Sequence, residues 1–395
     1  MNINNRSRFG LRHQPRFAFR SKQAGVVLVV VVAAVVLMVT LLALMIEDQH
    51  ILVRRLGNQK ISDQGFHYAQ GVTAWAERVL HEDQNRTVDH LGEKWAKFGR
   101  PEPVPEEGED DSFSLDTRSS REEEEEEKVV LDFGIDGIEY SIDDLQGRYN
   151  LNNLAAADKT LVQQQKRIYL NLLEVLEIGE FDERDQLVGA LIDWLDENDA
   201  ISPNGVESGT YASRTVPYYA ADQKLTSLGE LRFVDGYTED IINALAPYVT
   251  VLPVDNAAIN INTTTPEVLA SLSSAPVTDM GSVTAFLAQR EQPGFQGFQP
   301  PQLEDAKTAI IRVSVLGAQP ASNTMMQVNS QFFQINSKVT LGDYVYCMQT
   351  VVLRESATQE SAKTPKVSVL SRQHNTLCED QSTTTNNSDE DISKS

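Results

Sequence analysis

The residues with the clearest capacity for chemistry lie in one polar loop that follows Trp194. The loop carries carboxylate and amide side chains at Asp196, Asn198, Asp199 and Glu207. Calcium takes about six to eight oxygen ligands from carboxylates, amides and backbone carbonyls, and a flexible loop of this kind could supply them. It is not an EF-hand, because the required positions and glycine are absent. On the residues alone, two interpretations stay open: calcium binding, and a solvated acidic loop whose first aspartate caps a helix end.

The sequence holds no pattern that predicts an enzyme. Its six histidines are scattered, and none stands in an HExxH arrangement that would hold a catalytic metal ion. The chain also lacks the GxSxG of a nucleophile elbow and the glycine-rich P-loop that cradles phosphates. We therefore predict that the protein is not an enzyme.

A second candidate site for chemistry is Gly25, where a basic leader meets an apolar run. Every charge before Gly25 is basic, and Val26–Ile46 holds no charged residue. As a helix this run would be about 30 Å long, the thickness of a hydrocarbon core, and it exceeds the apolar region of a secretory signal peptide. Cleavage after Gly25 would leave Val26 and the whole apolar run as the new N-terminus. The alternative is a plain membrane anchor in which the glycine is incidental.

The distribution of charge predicts an orientation and excludes one class of partner. The excess of Lys and Arg before the apolar run predicts a cytoplasmic N-terminus and an exported remainder. The formal net charge of the 395 residues is −23, which argues against nucleic-acid binding, since phosphates favour Lys and Arg. Cys347 and Cys378 are the only cysteines. They could form one disulfide in an oxidising compartment, although the polar surroundings of Cys378 leave unpaired thiols open.

Hydrophobic periodicity predicts that the N-terminal helix continues beyond the membrane through residues 47–100, because apolar residues recur there at spacings of three and four. Residues 101–128 are predicted to be a disordered, solvated loop, since they contain 13 acidic residues whose like charges repel each other. Metal binding by the run Glu122–Glu127 is an alternative interpretation.

The pattern of residues 129–371 predicts strands, then helices, then strands again. Alternating apolar residues predict strands within 129–154, and amphipathic spacing predicts helices through 155–325. Strands return in 326–371, and the polar residues 372–395 are predicted to be disordered. This order predicts an α+β protein: a long N-terminal transmembrane helix and an antiparallel sheet interrupted by a large inserted all-α domain.

Four stretches are distinctive in their order and separation: Gly147–Leu154, Leu191–Asp196, Leu228–Pro253 and Ile259–Leu269. Together they resemble the minor pseudopilin K family of bacterial type II secretion systems, also called general secretion pathway protein K. The resemblance extends from about residue 22 to about residue 355. The leader before residue 26 is similar to those that a prepilin peptidase cuts after glycine.

The resemblance implies a pilin-like head in the periplasm, anchored in the bacterial inner membrane by a single span. It implies a place at the tip of a short pseudopilus, in complex with minor pseudopilins I and J. Assembly on the inner-membrane secretion platform would couple a cytoplasmic ATPase to the export of folded proteins through the outer membrane. It further implies calcium in the inserted domain. The residues selected on this basis are Asp196, Asn198, Asp199 and Glu207 for calcium, and Gly25 and Val26 for processing.

One departure from the major pilins has a physical explanation. The fifth residue after the predicted cleavage is Val30, where most pilins carry glutamate. In a filament that carboxylate can offset the N-terminal ammonium of a neighbouring subunit, because an unpaired buried charge is costly. A subunit at the distal end has no neighbour above it to neutralise. The valine therefore favours a cap over a repeating shaft subunit, and the protein K family also lacks the acid.

Two other functions are alternatives. Residues 228–249 and 266–290 look like helix-hairpin-helix units, a shape often used on DNA phosphates. The turn Val234–Tyr237 is acidic rather than basic, however, so we interpret these units as packing elements. A minor pilin of a type IV pilus is the alternative within related machinery.

Overall fold

The computed structural model describes residues 24–83, 86–98, 137–273, 280–292, 294–299, 302, 325–342, 344–355 and 366–374. They fall into two compact units, 1–63 and 64–395, and the first helix crosses the boundary between them. The predicted acidic loop 101–128 lies outside the described residues, as do most of the predicted leader and most of the predicted tail.

The described α-helices are α1 Ala24–Glu82, α2 Lys159–Val175, α3 Phe181–Leu195, α4 Ser208–Ala212, α5 Glu239–Leu245, α6 Pro266–Ser271 and α7 Gly281–Leu287. The described strands are β1 Gly137–Asp144, β2 Tyr149–Asn150, β3 Val249–Thr250, β4 Ile259–Asn260, β5 Met326–Gln327, β6 Phe332–Leu341, β7 Tyr344–Arg354 and β8 Val367–His374. Short 3-10 helices occur at Leu145–Gly147, Leu151–Ala155, Leu228–Phe233 and Ala288–Glu291.

The N-terminal unit contains the apolar part of α1. Its stretch Val26–Ala43 is long and apolar enough to cross a membrane, and 0% of that stretch is buried. A helix that is hydrophobic on all sides is typical of a membrane span rather than of a surface helix. This unit therefore fits a single-pass membrane anchor.

The second unit is built on an antiparallel sheet of four strands in the order β1-β6-β7-β8. The part of α1 after residue 63 buries one apolar stripe in a core shared with this sheet. The stripe consists of Ala69, Val72, Ala76 and Leu80, each at most 1% exposed, at the spacing of one helix face. Helix and sheet approach closely at Gly65, where an added Cβ would lie 2.6 Å from the Cβ of Tyr346.

Helices α2–α7 form the inserted domain between β1 and β6. Their apolar faces share one core, in which Tyr149 stacks on Tyr169 with 5.7 Å between ring centroids. Two short parallel pairs, β2 with β3 and β4 with β5, hold distant parts of the insert together. The sequence prediction of an α+β fold with an inserted helical domain is confirmed.

A buried polar network, here called the junction, joins the insert to the sheet through Asp144, Asn260, Thr263 and Ser330. Oδ2 of Asp144 accepts hydrogen bonds from Oγ of Ser330 at 2.6 Å and Oγ1 of Thr263 at 2.6 Å. Nδ2 of Asn260 also donates to this oxygen, at 3.1 Å. Asp144 ends β1, whereas Asn260 and Thr263 belong to the insert, so the carboxylate bonds the two parts directly.

Arg354, the last residue of β7, connects the sheet to the segment after α1. Its Nη1 donates to Oδ2 of Asp83 at 2.6 Å, and its Nη2 donates to both carboxylate oxygens of Asp89 at 2.6 Å. A carboxylate oxygen of Glu93 lies within 4.8 Å of those of Asp83 and Asp89. Burial raises the pKa of Asp89 to about 6 and that of Glu93 to about 7. Two carboxylates thus bind one buried guanidinium, and a third carboxylate, that of Glu93, lies beside them.

Several boundaries differ from the sequence predictions. Helix α1 ends at Glu82 instead of continuing through residue 100, because Arg354 holds Asp83 and Asp89 and residues 86–98 form turns and loops. Strand β8 extends to His374, into the predicted disordered tail, because residues 371–374 pair with β7. The polar loop after Trp194 contains the short helix α4.

The structure decides between a disulfide and a free thiol at Cys347 but not at Cys378. Cys347 on β7 is disulfide-bonded, and Cys378 is the one other cysteine of the sequence. Cys378 itself lies outside the described residues. The interpretation with unpaired thiols is therefore wrong for Cys347.

Candidate metal centre

The C-terminal half of α3 places a single charged side chain among buried apolar ones. Leu191–Leu195 is buried throughout, and Asp193 is 0% exposed. The backbone N–H of Ser202 donates to the Asp193 carboxylate, at 3.1 Å to Oδ1 and 3.2 Å to Oδ2. One N–H does not saturate two carboxylate oxygens, which can accept about four hydrogen bonds. Asp193 therefore keeps acceptor capacity for a further ligand.

Glycines let the following loop close over Asp193. A Cβ added at Gly205 would overlap the Asp193 carboxylate. On α3 itself, a Cβ added at Gly189 would lie 2.8 Å from the backbone carbonyl carbon of Asn204. The loop backbone at residues 204–205 is thus held against α3 at a distance that only glycine allows.

The predicted ligands Asp196, Asn198 and Asp199 lie in two consecutive turns just after α3. Oδ1 of Asp196 accepts the backbone N–H of Asn198 at 3.1 Å, and Oδ1 of Asn198 accepts that of Ala200 at 3.0 Å. Asn198 and Asp199 are exposed, whereas Asp196 is partly buried. The side-chain oxygen of Asn198 is therefore already used to shape the loop.

Glu207 is a buried acid with an orphaned oxygen. It is 6% exposed, and its Oε2 accepts the backbone N–H of Ser208 at 3.2 Å, at the start of α4. Its Oε1 is buried and has no hydrogen-bond partner among the described residues. A buried carboxylate oxygen without a donor carries an uncompensated desolvation cost. A bound cation would remove that cost.

Four carboxylates in this region repel one another electrostatically and are here called the acidic cluster: Asp193, Asp196, Glu207 and Asp222. Burial raises the pKa of Glu207, and repulsion from the other three raises it further. Burial also raises the pKa of Asp196, again with repulsion from Asp193 and Asp222. The backbone N–H of Asp222 donates to the carbonyl of Trp194 at 3.1 Å, which brings this residue back to the end of α3.

Two of the predicted ligands, Asp196 and Glu207, thus interact electrostatically with two acids that the sequence prediction missed. These acids are Asp193 and Asp222. The one signal for Asp193 is a lone charge within an otherwise apolar stretch of helix. For Asp222 the neighbouring sequence gives no signal. It approaches the end of α3 only because the chain returns there and its backbone N–H bonds to the carbonyl of Trp194. The assignment of Asp196, Asn198, Asp199 and Glu207 to calcium stays a prediction.

The donor set of the acidic cluster fits a hard cation. All four side chains offer oxygen, the ligand that Ca²⁺ and Mg²⁺ prefer, and none offers the nitrogen or sulfur that favours zinc. The orphaned oxygen of Glu207 and the mutual repulsion of the carboxylates are both relieved by positive charge. A flexible loop with several carboxylates suits calcium better than magnesium, which demands a near-ideal octahedron.

Aromatic side chains support the loop that carries Glu207. The rings of Trp194 and Tyr211 meet edge to face, 5.4 Å apart. The Tyr211 hydroxyl oxygen accepts the backbone N–H of Asp235 at 3.2 Å, and the Arg214 guanidinium lies 4.8 Å from the centre of the Tyr211 ring. Arg214 also forms an ion pair with Asp235. The loop is therefore tied to the turn before α5.

The predicted processing residues, Gly25 and Val26, lie in the first turn of α1. The Val26 side chain is 66% exposed. Nothing in this geometry tests cleavage, which stays a prediction.

Comparison with known proteins identifies the domain that holds the acidic cluster. Residues 147–254 match the family model for type II secretion system (T2SS) protein K. Type II secretion system protein K of Aeromonas hydrophila is 28% identical over 346 residues, which cover 84% of this chain and 93% of that protein. The protein of the same name from Pseudomonas aeruginosa is 28% identical over 361 residues, covering 89% and 93%.

In fold, the chain is similar to one chain of the crystal structure of the GspK-GspI-GspJ complex from the enterotoxigenic Escherichia coli type 2 secretion system. The TM-score is 0.57 at 21% identity, and the match covers 81% of this chain and 99% of that one. Residues 147–254 are therefore a domain of the type II secretion system protein K family, and 84% or more of the chain is similar to proteins of that name from Aeromonas hydrophila and Pseudomonas aeruginosa.

Proposed function

We propose that this protein is a minor pseudopilin of the type II secretion system that lies at the pseudopilus tip with pseudopilins I and J. The observation that carries the proposal is a domain similar to protein K inserted into an antiparallel sheet, in a chain with an apolar helix near its N-terminus. The structural relative comes from a complex with GspI and GspJ, which supports this choice of partners. The role is structural rather than catalytic: the assembled pseudopilus supports export of folded proteins across the outer membrane.

The proposal includes the inner membrane as the location, with the second unit in the periplasm. The excess of Lys and Arg before the apolar run supports this orientation. Prepilin peptidase would cut between Gly25 and Val26 and leave the apolar run to pack in the filament. Val30 then stands where a shaft subunit would carry a glutamate, which supports a place at the end.

Calcium is part of the proposal, with Asp193, Asp196, Glu207 and Asp222 as the residues that would hold it. A bound calcium ion supplies positive charge and oxygen coordination. The carboxylates of the cluster lie at the end of α3, at the start of α4 and, for Asp222, in the segment after α4. Their attraction to one cation would fix that loop against α3, so calcium would stabilise the inserted domain.

The partner proposal is tested by co-expressing the full-length chain with pseudopilins I and J of the same bacterium. After detergent extraction and affinity capture of this chain, we expect the three proteins to elute together in size-exclusion chromatography. A major pseudopilin expressed in place of I and J serves as the control and should not co-elute. Failure to form the ternary complex would contradict the tip role.

Processing is tested by N-terminal sequencing of the protein extracted from membranes that contain prepilin peptidase. We expect the chain to begin at Val26, and a Gly25→Leu variant to keep its leader. A wild-type chain that begins at Met1, or beyond His50, would contradict the proposal.

Calcium binding is tested by thermal unfolding and equilibrium dialysis with calcium alone. We expect the wild-type chain to gain stability with calcium and Glu207→Gln to bind it at least tenfold more weakly. Glu174→Gln, which removes an exposed carboxylate on α2, is the matched control and should bind normally. Asp199→Asn then decides whether this exposed residue is a ligand. Equal calcium affinity in the wild type and Glu207→Gln would remove the acidic cluster from the proposal.

A further inference from the structure

A cavity of about 570 Å³ opens on the inserted domain, on the far side of the loop backbone that covers Asp193. It is bounded by residues 179–187 at the start of α3, by residues 204–206 and by residues 235–241. We propose that this cavity binds a lysine or arginine side chain on a segment of a partner protein. The inference deepens the proposed function, because it rests on the protein working in a complex and names the chemistry of one contact.

The floor of the cavity is aliphatic. Leu187, Val206 and Ile241 line it, and all three are buried or partly buried in the core of the inserted domain. An aliphatic stem laid on this floor would remove apolar surface from water. The polar groups around the floor, Gln186 and Thr238 among them, would meet the end of such a stem.

The charge at the cavity is negative. Glu183 and Asp235 line it, and none of the described lining residues is basic. Arg214 pairs with Asp235 from outside the lining and neutralises it. One oxygen of Glu183 accepts the backbone N–H of Glu180 at 3.1 Å, which leaves its second oxygen for a ligand. Glu183 is therefore the main source of attraction for a cation.

Lysine and arginine match this combination of floor and charge. Both have long aliphatic stems that lie along apolar surface while the cationic end reaches a polar group. A neutral apolar side chain would cover Glu183 without pairing it, and an acidic one would be repelled.

Two glycines shape the lining of the cavity. Gly179 and Gly236 have φ of +65° and +82°, conformations that side chains other than glycine rarely adopt. Because they lack Cβ atoms, Glu183 can pack against Gly179 and Leu187 against Gly236. The volume lies in the range of sites for ligands larger than one amine, which favours a peptide segment over a free amino acid.

The test uses the full-length chain in detergent micelles and two fluorescent pentapeptides, acetyl-Gly-Leu-Lys-Leu-Gly-amide and the same peptide with norleucine at the centre. Norleucine keeps the aliphatic stem and removes the amine. By fluorescence anisotropy at 150 mM salt, we expect the lysine peptide to bind about tenfold more tightly, because only it can pair with Glu183. Unlabelled free lysine should compete far less well than the unlabelled lysine peptide.

Glu183→Gln is the decisive variant, because glutamine at the third position of a helix also serves in a capping box. It removes the charge and keeps the bond to Glu180. We expect the preference for lysine to fall to less than twofold in Glu183→Gln and to stay unchanged in Glu174→Gln, which removes one exposed charge elsewhere.

Equal binding of the two peptides, or a preference that survives Glu183→Gln, would overturn the inference. Equal competition by free lysine would overturn the assignment to a protein segment. Since the ternary complex with pseudopilins I and J is measured separately, failure here is distinguishable from failure of the proposed function.

Discussion

Glu93 offers a quantitative test of the cost of a buried carboxylate beside Asp83 and Asp89. Its side chain is 13% exposed, and burial is the largest cause that raises its pKa from an ordinary 4.5 to about 7. Repulsion from Asp89 and Asp83 adds to the rise, and a hydrogen bond from the Trp95 indole, at 2.6 Å, opposes it. Since each pKa unit corresponds to about 1.4 kcal/mol, ionised Glu93 costs the folded state roughly 3 kcal/mol.

The sign follows from the two protonation states. Below about pH 4.5 the side chain is protonated in both the folded and the unfolded chain, and it costs nothing. Between about pH 4.5 and 7 the unfolded chain loses this proton while the folded chain keeps it, so the free energy of unfolding falls as the pH rises. Above the folded pKa near 7 the folded chain is ionised as well, and the full cost is present. Glutamine cannot ionise, and its carbonyl oxygen can still accept the Trp95 indole N–H. We therefore expect Glu93→Gln to match the wild type near pH 4.5 and to be more stable by roughly 2 to 3 kcal/mol at pH 8.

The assay is chemical denaturation of the full-length chain in detergent between pH 4.5 and 8, followed by tryptophan fluorescence. Glu82→Gln is the matched control, because the Glu82 side chain is 58% exposed beside Arg78, and exposed pairs contribute little. Its free energy of unfolding should stay within about 0.5 kcal/mol of the wild type throughout. A Glu93→Gln variant that is less stable at pH 8, or whose advantage does not change with pH, would refute the reasoning.

Three further predictions concern buried contacts. Arg354→Met should lower the free energy of unfolding by about 3 to 5 kcal/mol at pH 7.5, because it leaves the Asp89 charge unpaired. Adding Asp89→Asn to this variant should restore part of that free energy. Denaturant titrations measure both changes. Gly205→Ala should cost about 1 to 3 kcal/mol through its overlap with Asp193 and weaken calcium binding in dialysis. Gly209→Ala, which meets nothing within 4 Å, should do neither. Cys347→Ser should cost about 3 kcal/mol through lost loop closure, and equal thermal stability of variant and wild type under non-reducing conditions would contradict it.

The fold class could be predicted from the sequence and is confirmed, and the resemblance to protein K is confirmed for the domain at residues 147–254. The long apolar run and the order of strands, helices and strands are local patterns that survive in the folded chain. The end of α1 could not be predicted, because Asp83 and Asp89, which follow Glu82, are held by Arg354, far away in sequence. Strand β8 was predicted too short for a similar reason: its last residues are polar, and β7 supplies their hydrogen bonds.

At the candidate metal centre, the sequence located the loop but not the whole group of acids. Glu207 and Asp196 stand in an evidently polar segment, so composition alone marks them. Asp193 lies on a helix face that hydrophobic periodicity assigns to the core. Only the folded structure shows that the backbone of Gly205 packs against its carboxylate and that the N–H of Ser202 donates to it. Asp222 joins through a backbone bond to Trp194, a contact that no local pattern encodes.

The junction has a mechanical consequence. Asp144 accepts hydrogen bonds from Asn260 and Thr263 of the insert, and the backbone N–H of Ser330 donates to Asp89. The sheet and the insert therefore cannot slide past each other without breaking several hydrogen bonds at once. Within the described residues, a force on the sheet would therefore be transmitted to the inserted domain through these hydrogen bonds.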